Sequence, residues 1–237
     1  MRHLRSLAIP IEYAPLAMSC LEKMPEGQMA PRFPMVVCGD VAVIPVMGFL
    51  VSRREDFPEV ANLTGHDEIQ QHLASALHDP QVRGIALLVE SMGGDFGELS
   101  GLCDAISAAK GTKPIWAVVK NVCLGAAYAI ASGADRILLQ RGGVIGGVAG
   151  CVACTPRPGD SSPVTFEPML ADDAANLETL RQVVSRNRGI SLDTLRGWSG
   201  IGHTALEAVP AGLIDAIQDE TDALTALAVA LRKDNRQ

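Results

Sequence analysis

The sequence predicts an α/β domain whose strands are mostly parallel, and three observations lead there. Short unbroken apolar runs at residues 41–46, 85–89 and 114–119 have the length and the Val, Ile and Leu content of strands buried on both faces. Between two of them, Ile69, Leu73, Ala76 and Leu77 recur at helical spacing. Strand, helix and strand then alternate, which favours crossover connections and parallel pairing.

Taken in order, residues 1–37 read as an arm, because prolines at 10, 15, 25, 31 and 34 punctuate them, with one short helix expected over 16–24. The run 41–46 is the first strand, followed by a polar stretch over 52–62. Thr64 is the expected cap of the next helix, since its hydroxyl can accept an orphan amide, and Asp67 and Glu68 suit the positive helix end. Pro80 closes that helix, and 85–89 is the expected central strand. After Ser91-Met-Gly-Gly94 a second helix carries Leu99, Leu102, Cys103 and Ile106 on one face and ends near Gly111. The strand 114–119, a small-residue helix over 125–132 and a strand over 136–140 follow. Residues 155–168 contain four prolines and no periodicity, so a surface loop is expected. Helices over 172–187, 192–198 and 221–232 complete the chain, giving an arm (1–37), a domain (38–220) and a C-terminal helix and tail (221–237).

A length of 237 residues suits one such domain. Aromatics at 4% leave the core to Val, Ile, Leu and Ala. The net charge of -7 gives no field to hold nucleic acid or an anionic membrane, and Arg232, Lys233 and Arg236 form only a short basic tail. Six cysteines lie mostly inside apolar runs without framework spacing, as expected of reduced thiols in the cytoplasm. Cys151 and Cys154 form a C-x-x-C, but the nearest following histidine is His203, so packed thiols are expected there, with no metal and no cofactor. The stretch after Arg2 and Arg5 is broken by Pro10, Glu12 and Pro15, unlike a secretory signal, and no apolar span reaches the ~20 residues that cross a bilayer.

Three segments carry a family resemblance. Val41-Ala-Val-Ile-Pro-Val-Met-Gly-Phe-Leu50 is similar to an opening strand and the glycine after it. Ile85-Ala-Leu-Leu-Val-Glu-Ser-Met-Gly-Gly94 is similar to a strand ending in a Gly-Gly loop, with Glu90 and Met92 departing from the pattern. Asn121-Val-Cys-Leu-Gly-Ala-Ala-Tyr-Ala-Ile-Ala-Ser-Gly-Ala-Asp135 is the most specific, fifteen residues matching a nucleophile helix. Together with Pro15-Leu-Ala-Met18 and Ala205-Leu-Glu-Ala-Val-Pro-Ala-Gly-Leu-Ile-Asp215, they resemble the signal peptide peptidase A family of serine peptidases, especially its phage prohead (head-maturation) branch. The resemblance implies a Clp protease/crotonase-like fold, a repeated β-β-α spiral, and a homo-oligomer acting on capsid or scaffold protein in a bacterial cytoplasm.

It also implies where the chemistry should sit. Gly93 and Gly94 match the oxyanion loop, where glycine permits the close backbone approach that such a hole needs. Gly125 stands where the family has its nucleophilic serine, and glycine offers no atom to attack with. The family's base is a buried lysine, yet no lysine occurs between Lys120 and Lys233, and Arg157 remains protonated at any usable pH. Ile145-Gly-Gly-Val148 lacks the serine of the family's turn.

An inactive protease relative is therefore expected, retained for assembly, for binding a peptide segment in the old groove, or as partner of an active homologue. Cys123, Ser132 and Ser91 are the alternative nucleophiles: the thiol of Cys123 lies near a helix start, whereas Ser132 should be buried within the helix. Leu124-Gly-Ala-Ala127 also resembles the oxyanion-hole helix of the crotonases, so a crotonase-like acyl-CoA enzyme is the alternative of a different class.

Overall fold

The computed structural model describes residues 6–10, 12, 13, 16, 19, 25, 28–148, 152–154, 166–168, 171–198 and 202–234. Among these, the strands in chain order are β1 (Ser6–Ala8), β2 (Val36–Cys38), β3 (Val41–Val51), β4 (Leu63–Gly65), β5 (Gly84–Asp95), β6 (Ile115–Leu124), β7 (Arg136–Leu139), β8 (Val144–Gly146), β9 (Val152–Cys154), β10 (Phe166–Pro168), β11 (His203–Thr204) and β12 (Ala216–Ile217). The helices are α1 (His66–His78), α2 (Leu99–Ala109), α3 (Ala126–Ser132), α4 (Ala171–Arg188), α5 (Leu192–Gly197), α6 (Ala205–Ala208) and α7 (Glu220–Asp234).

The sheet is built on β3, β5, β6 and β7, each parallel to the next. Side chains alternate across it. Ile85, Leu87 and Val89 of β5 and Ile115, Ala117 and Val119 of β6 join one core with α1 to α4, while Ala86, Trp116, Val118 and Leu138 meet Ala223, Leu227 and Leu231 of α7. Covering both faces explains why these strands read as continuous apolar runs rather than as alternating ones.

Parallel order also brings the strand ends to one edge. β5 overruns the core to Asp95 and β6 to Leu124, with register shifts between Met47 and Phe49 and between Val89 and Ser91 that bend the ends. Residues 91–95 and 121–126 converge there.

Several expectations change. The first strand continues through Gly48 to Val51 instead of turning. Thr64 does not cap α1: it lies in β4, its hydroxyl donating to the Met47 carbonyl, and Gly65 takes the cap position, its amide donating to the Glu68 carboxylate. The stretch expected as a loop over 155–168 ends in a strand, because Phe166–Pro168 pairs antiparallel with Val152–Cys154; Pro168 is tolerated on an outer strand that, among the described residues, pairs on one edge. Residues 155–165, most of the helix expected over 16–24, and Cys151 lie outside the described residues. Ser6–Ala8, within the predicted arm, is a strand inside the sheet, between β5 and β9 and antiparallel to both.

Among the described residues no helix is long and apolar enough to cross a membrane.

Candidate functional site

Gly125 is the joint between β6 and α3. Its φ of 54° and ψ of -120° lie where a side chain is disfavoured, and glycine makes the abrupt passage from strand to helix without that strain. The Gly125 amide donates to the Gly146 carbonyl at 2.9 Å, and its own carbonyl accepts from Ala129 at 3.0 Å, which ties β6 to β8 and starts the helix.

A Cβ placed on Gly125 would collide with the carbonyl oxygen of Ala8 and lie 2.6 Å from its carbonyl carbon. One on Gly93, whose φ is 103°, would collide with the same oxygen and lie 3.2 Å from the Ala126 nitrogen. Gly93 and Gly125 therefore meet around one atom, the oxygen of Ala8. Gly94 does something else: it closes on β3, where a Cβ would strike the Leu50 carbonyl, and stands opposite Ala8 in the β1 ladder.

Beside this joint β1 fills the single strand position between β5 and β9. β5 forms one wall through Gly94 and Asp95, and β9 the other through Val152 and Ala153. Leu7 and Ile9 project together into an apolar pocket made by Phe49, Val51, Phe57, Val60 and Leu63, while Ala8 joins the main core. The buried Arg54 guanidinium donates to the carbonyls of Phe57 and Val60, holding two residues of that pocket in place. A further cavity of about 370 Å³ opens beside Gly93, lined by Phe33, Met47, Phe49, Glu90, Ser91 and Met92 among others.

The other sequence-selected groups are engaged in packing. The Ser132 hydroxyl is fully buried, donates to the Ala129 carbonyl at 2.7 Å and accepts from the Asn187 amide at 3.0 Å. Ser91 is buried and accepts from the Gly93 amide at 3.0 Å, which fixes the bend of the glycine loop. Cys123 is fully buried, and burial pushes its thiol well above the usual range, opposite to what a nucleophile needs. Tyr128 donates its hydroxyl to the Leu213 carbonyl at 3.0 Å.

Lys113 donates to the carbonyls of Ala76 and Asp79, and Lys120 pairs with Glu90 and Glu220; Lys23 lies outside the described residues.

Sequence reading missed two neighbours of the site. His203, 78 residues beyond Gly125 in the chain, sits with Nδ1 3.5 Å from where a Cβ on Gly146 would be, its ring 4.6 Å from that of Trp198. Burial lowers its pKa, and β8 separates it from Cys123, since both residues flank Ile145 in the sheet. The second neighbour is the segment Leu7–Pro10 itself. Its only local signal is a three-residue apolar run before a proline.

No protein-family model matches the chain. Two phage proteins are similar to it over 91% of its length. Head-tail preconnector protein GP5 of Enterobacteria phage P21 is 27% identical over 241 residues, which is 48% of that protein. Capsid assembly protease C of Escherichia phage lambda is 28% identical over 244 residues, 55% of that protein. The chain thus spans about half the length of these relatives.

Among solved structures, a membrane-bound stomatin-specific protease in complex with a substrate peptide matches with a TM-score of 0.56 and 15% identity, over 80% of each chain. The ClpP protease catalytic domain from Plasmodium falciparum matches with 0.53 and 14%, over 75% of this chain and 85% of that one. An enoyl-CoA hydratase from Mycobacterium avium subsp. paratuberculosis matches with 0.55 and 16%, over 84% and 74%. Identities this low establish the fold alone, which is the Clp protease/crotonase-like one expected. The resemblance to a phage head-tail preconnector protein and a phage capsid assembly protease extends along nearly the whole chain.

Proposed function

We propose that this chain is a capsid-assembly protease relative that binds an extended peptide segment in the cleft between β5 and β9 without cleaving it by acyl transfer. The observation that carries this reading is the joint at Gly125. The backbone turns from strand to helix at the matched nucleophile position, yet a side chain there is missing and its space is taken by a peptide carbonyl. A strand-wide slot supports binding, because main-chain pairing on both sides recognises any extended segment and side pockets add selectivity.

The absence of a serine at 125, and of any lysine between Lys120 and Lys233, supports the lack of turnover, because a serine hydroxyl needs a base to become nucleophilic. Gly93 and Gly94 would then keep the loop shape of an oxyanion hole without its reaction. Capsid or scaffold protein, met in the cytoplasm of a bacterium carrying a phage or prophage, is the proposed partner, with the chain acting as a homo-oligomer or beside an active protease homologue.

Incubation with a pool of capsid- and scaffold-derived peptides, followed by mass spectrometry of the bound fraction, tests this. Peptides recovered bound and intact are expected. Cleaved peptides, with cleavage abolished by Cys123→Ala or Ser132→Ala, would replace this reading with an active enzyme using another nucleophile. Titration with an acyl-CoA thioester is expected to be silent, and saturable binding would favour a crotonase-like function instead.

A further inference from the structure

We propose that Leu7–Pro10 is a built-in occupant of the peptide cleft, seated as an external ligand would be, and that it sets the ligand class: an extended segment with a small residue between two bulky apolar ones, followed by proline. This inference rests on the cleft being a peptide site, as proposed above.

The placement is that of a bound peptide in four respects. β1 is three residues long and lies between two strands that both run antiparallel to it, so its backbone faces partners on both edges. Without it the cleft would be a slot about 10 Å wide, the spacing of two strand-to-strand steps. The carbonyl oxygen of Ala8 lies against both Gly93 and Gly125, the two residues matched to the reaction centre, so the Ala8–Ile9 peptide bond occupies the place of a bond presented for attack.

The side chains follow strand alternation. Leu7 and Ile9 enter the pocket of Phe49, Phe57, Val60 and Leu63, and Ala8, on the opposite face, is fully buried in the main core. Pro10 closes the arrangement: a Cβ on Gly147 would lie 2.6 Å from its Cγ, so the Gly147 backbone is shaped around the proline ring. Leu7, Ala8 and Ile9 are all fully buried.

Two occupants cannot share a slot one strand wide. External peptide therefore binds only after Leu7–Pro10 has left, and affinity is reduced by the fraction of molecules in which the slot is empty.

A fluorescein-labelled peptide Ser-Leu-Ala-Ile-Pro-Ile is the probe. It is titrated by polarisation against the full chain and against the full chain carrying Leu7→Asp with Ile9→Asp, which puts carboxylates into an apolar pocket and expels the strand. The variant is expected to bind at least about tenfold more tightly than the unmodified chain, and a peptide with Trp in place of Ala to bind neither. Hydrogen exchange on the unmodified chain supplies a second readout that does not depend on the variant folding. The amides of residues 7–9 should exchange more slowly than those of a free tail, and excess probe should speed their exchange.

Equal probe affinity for both proteins, or amides at 7–9 that exchange as a free tail, would overturn the built-in occupant while leaving the cleft as a peptide site. Protected amides with no probe binding by a folded variant would overturn the peptide site itself, and the ligand class with it.

Discussion

Replacing Gly125 with serine restores the missing hydroxyl and should damage the protein without creating an enzyme. The substitution adds a Cβ at a φ of 54°, which costs about 1–3 kcal/mol for a residue other than glycine. The new atom also collides with the Ala8 carbonyl, and because that neighbour is backbone, no side-chain rotation relieves the overlap. β1 must then move. Its departure exposes Leu7 and Ile9, worth roughly 1.5–3 kcal/mol each, and frees four residues whose ordering cost about 1–2 kcal/mol each, so the two effects nearly offset. The total loss should be about 1–4 kcal/mol, a fall in Tm of about 2–16 °C for a domain of this size. Thermal unfolding reads the first effect and hydrogen exchange at residues 7–9 the second, while turnover of casein stays at the level of the parent because no base has been added. Unchanged Tm with β1 still protected would refute the packing described at Gly125, and robust turnover by the single variant would refute the requirement for a base.

Three further outcomes follow from the same packing. Of Cys38, Cys103 and Cys123, only the exposed Cys38 should be alkylated in the folded protein at pH 8, since burial pushes the Cys103 thiol up to about 12 and Cys123 higher still; residue-resolved mass spectrometry reads this, and labelling of Cys123 would contradict it. His66 is buried, with Nδ1 2.7 Å from the Gly97 carbonyl, and burial lowers its pKa from 6.5. A depressed histidine contributes stability that is complete above the unfolded value and lost as pH falls below it, so the urea midpoint should drop between pH 7 and 5.5, less steeply in His66→Gln; an identical slope in both would refute the assignment. Ser132→Ala should cost about 1–3 kcal/mol by leaving the Asn187 amide without its acceptor, measured by urea unfolding, and should leave peptide binding unchanged.

What could be read in advance divides by the range of the interactions. β5 and β6 were legible because burial on both faces writes an unbroken apolar run into the sequence, and α1 because Ile69, Leu73 and Ala76 form one buried stripe. The loop around Gly93 was legible as a motif, since close backbone approach there favours glycine, and the joint at residue 125 was legible from the Ala126-Ala-Tyr128 run that follows it.

β1 was not, because nothing in Ser6–Ala8 favours a strand by itself: its partners are 85 or more residues away in β5 and β9. β8, β11 and β12, each two or three residues long, are fixed by neighbours in the same way. Thr64 misled because its hydroxyl is committed across the sheet, donating to the Met47 carbonyl and accepting from the Met47 amide, instead of accepting from an orphan amide of the helix that follows. His203 reaches the site only through β11 pairing with β8, a contact without local trace.

Intact mass after exposure to a fluorophosphonate probe asks whether the chain has kept a serine-protease nucleophile, because the reagent reports any activated hydroxyl whatever the substrate. The full chain, incubated with excess reagent at neutral pH beside an active serine protease, should keep its unmodified mass, since residue 125 carries no hydroxyl and Ser132 and Ser91 are buried in hydrogen bonds. A stoichiometric phosphonyl adduct, mapped to one residue of the folded protein, would contradict it.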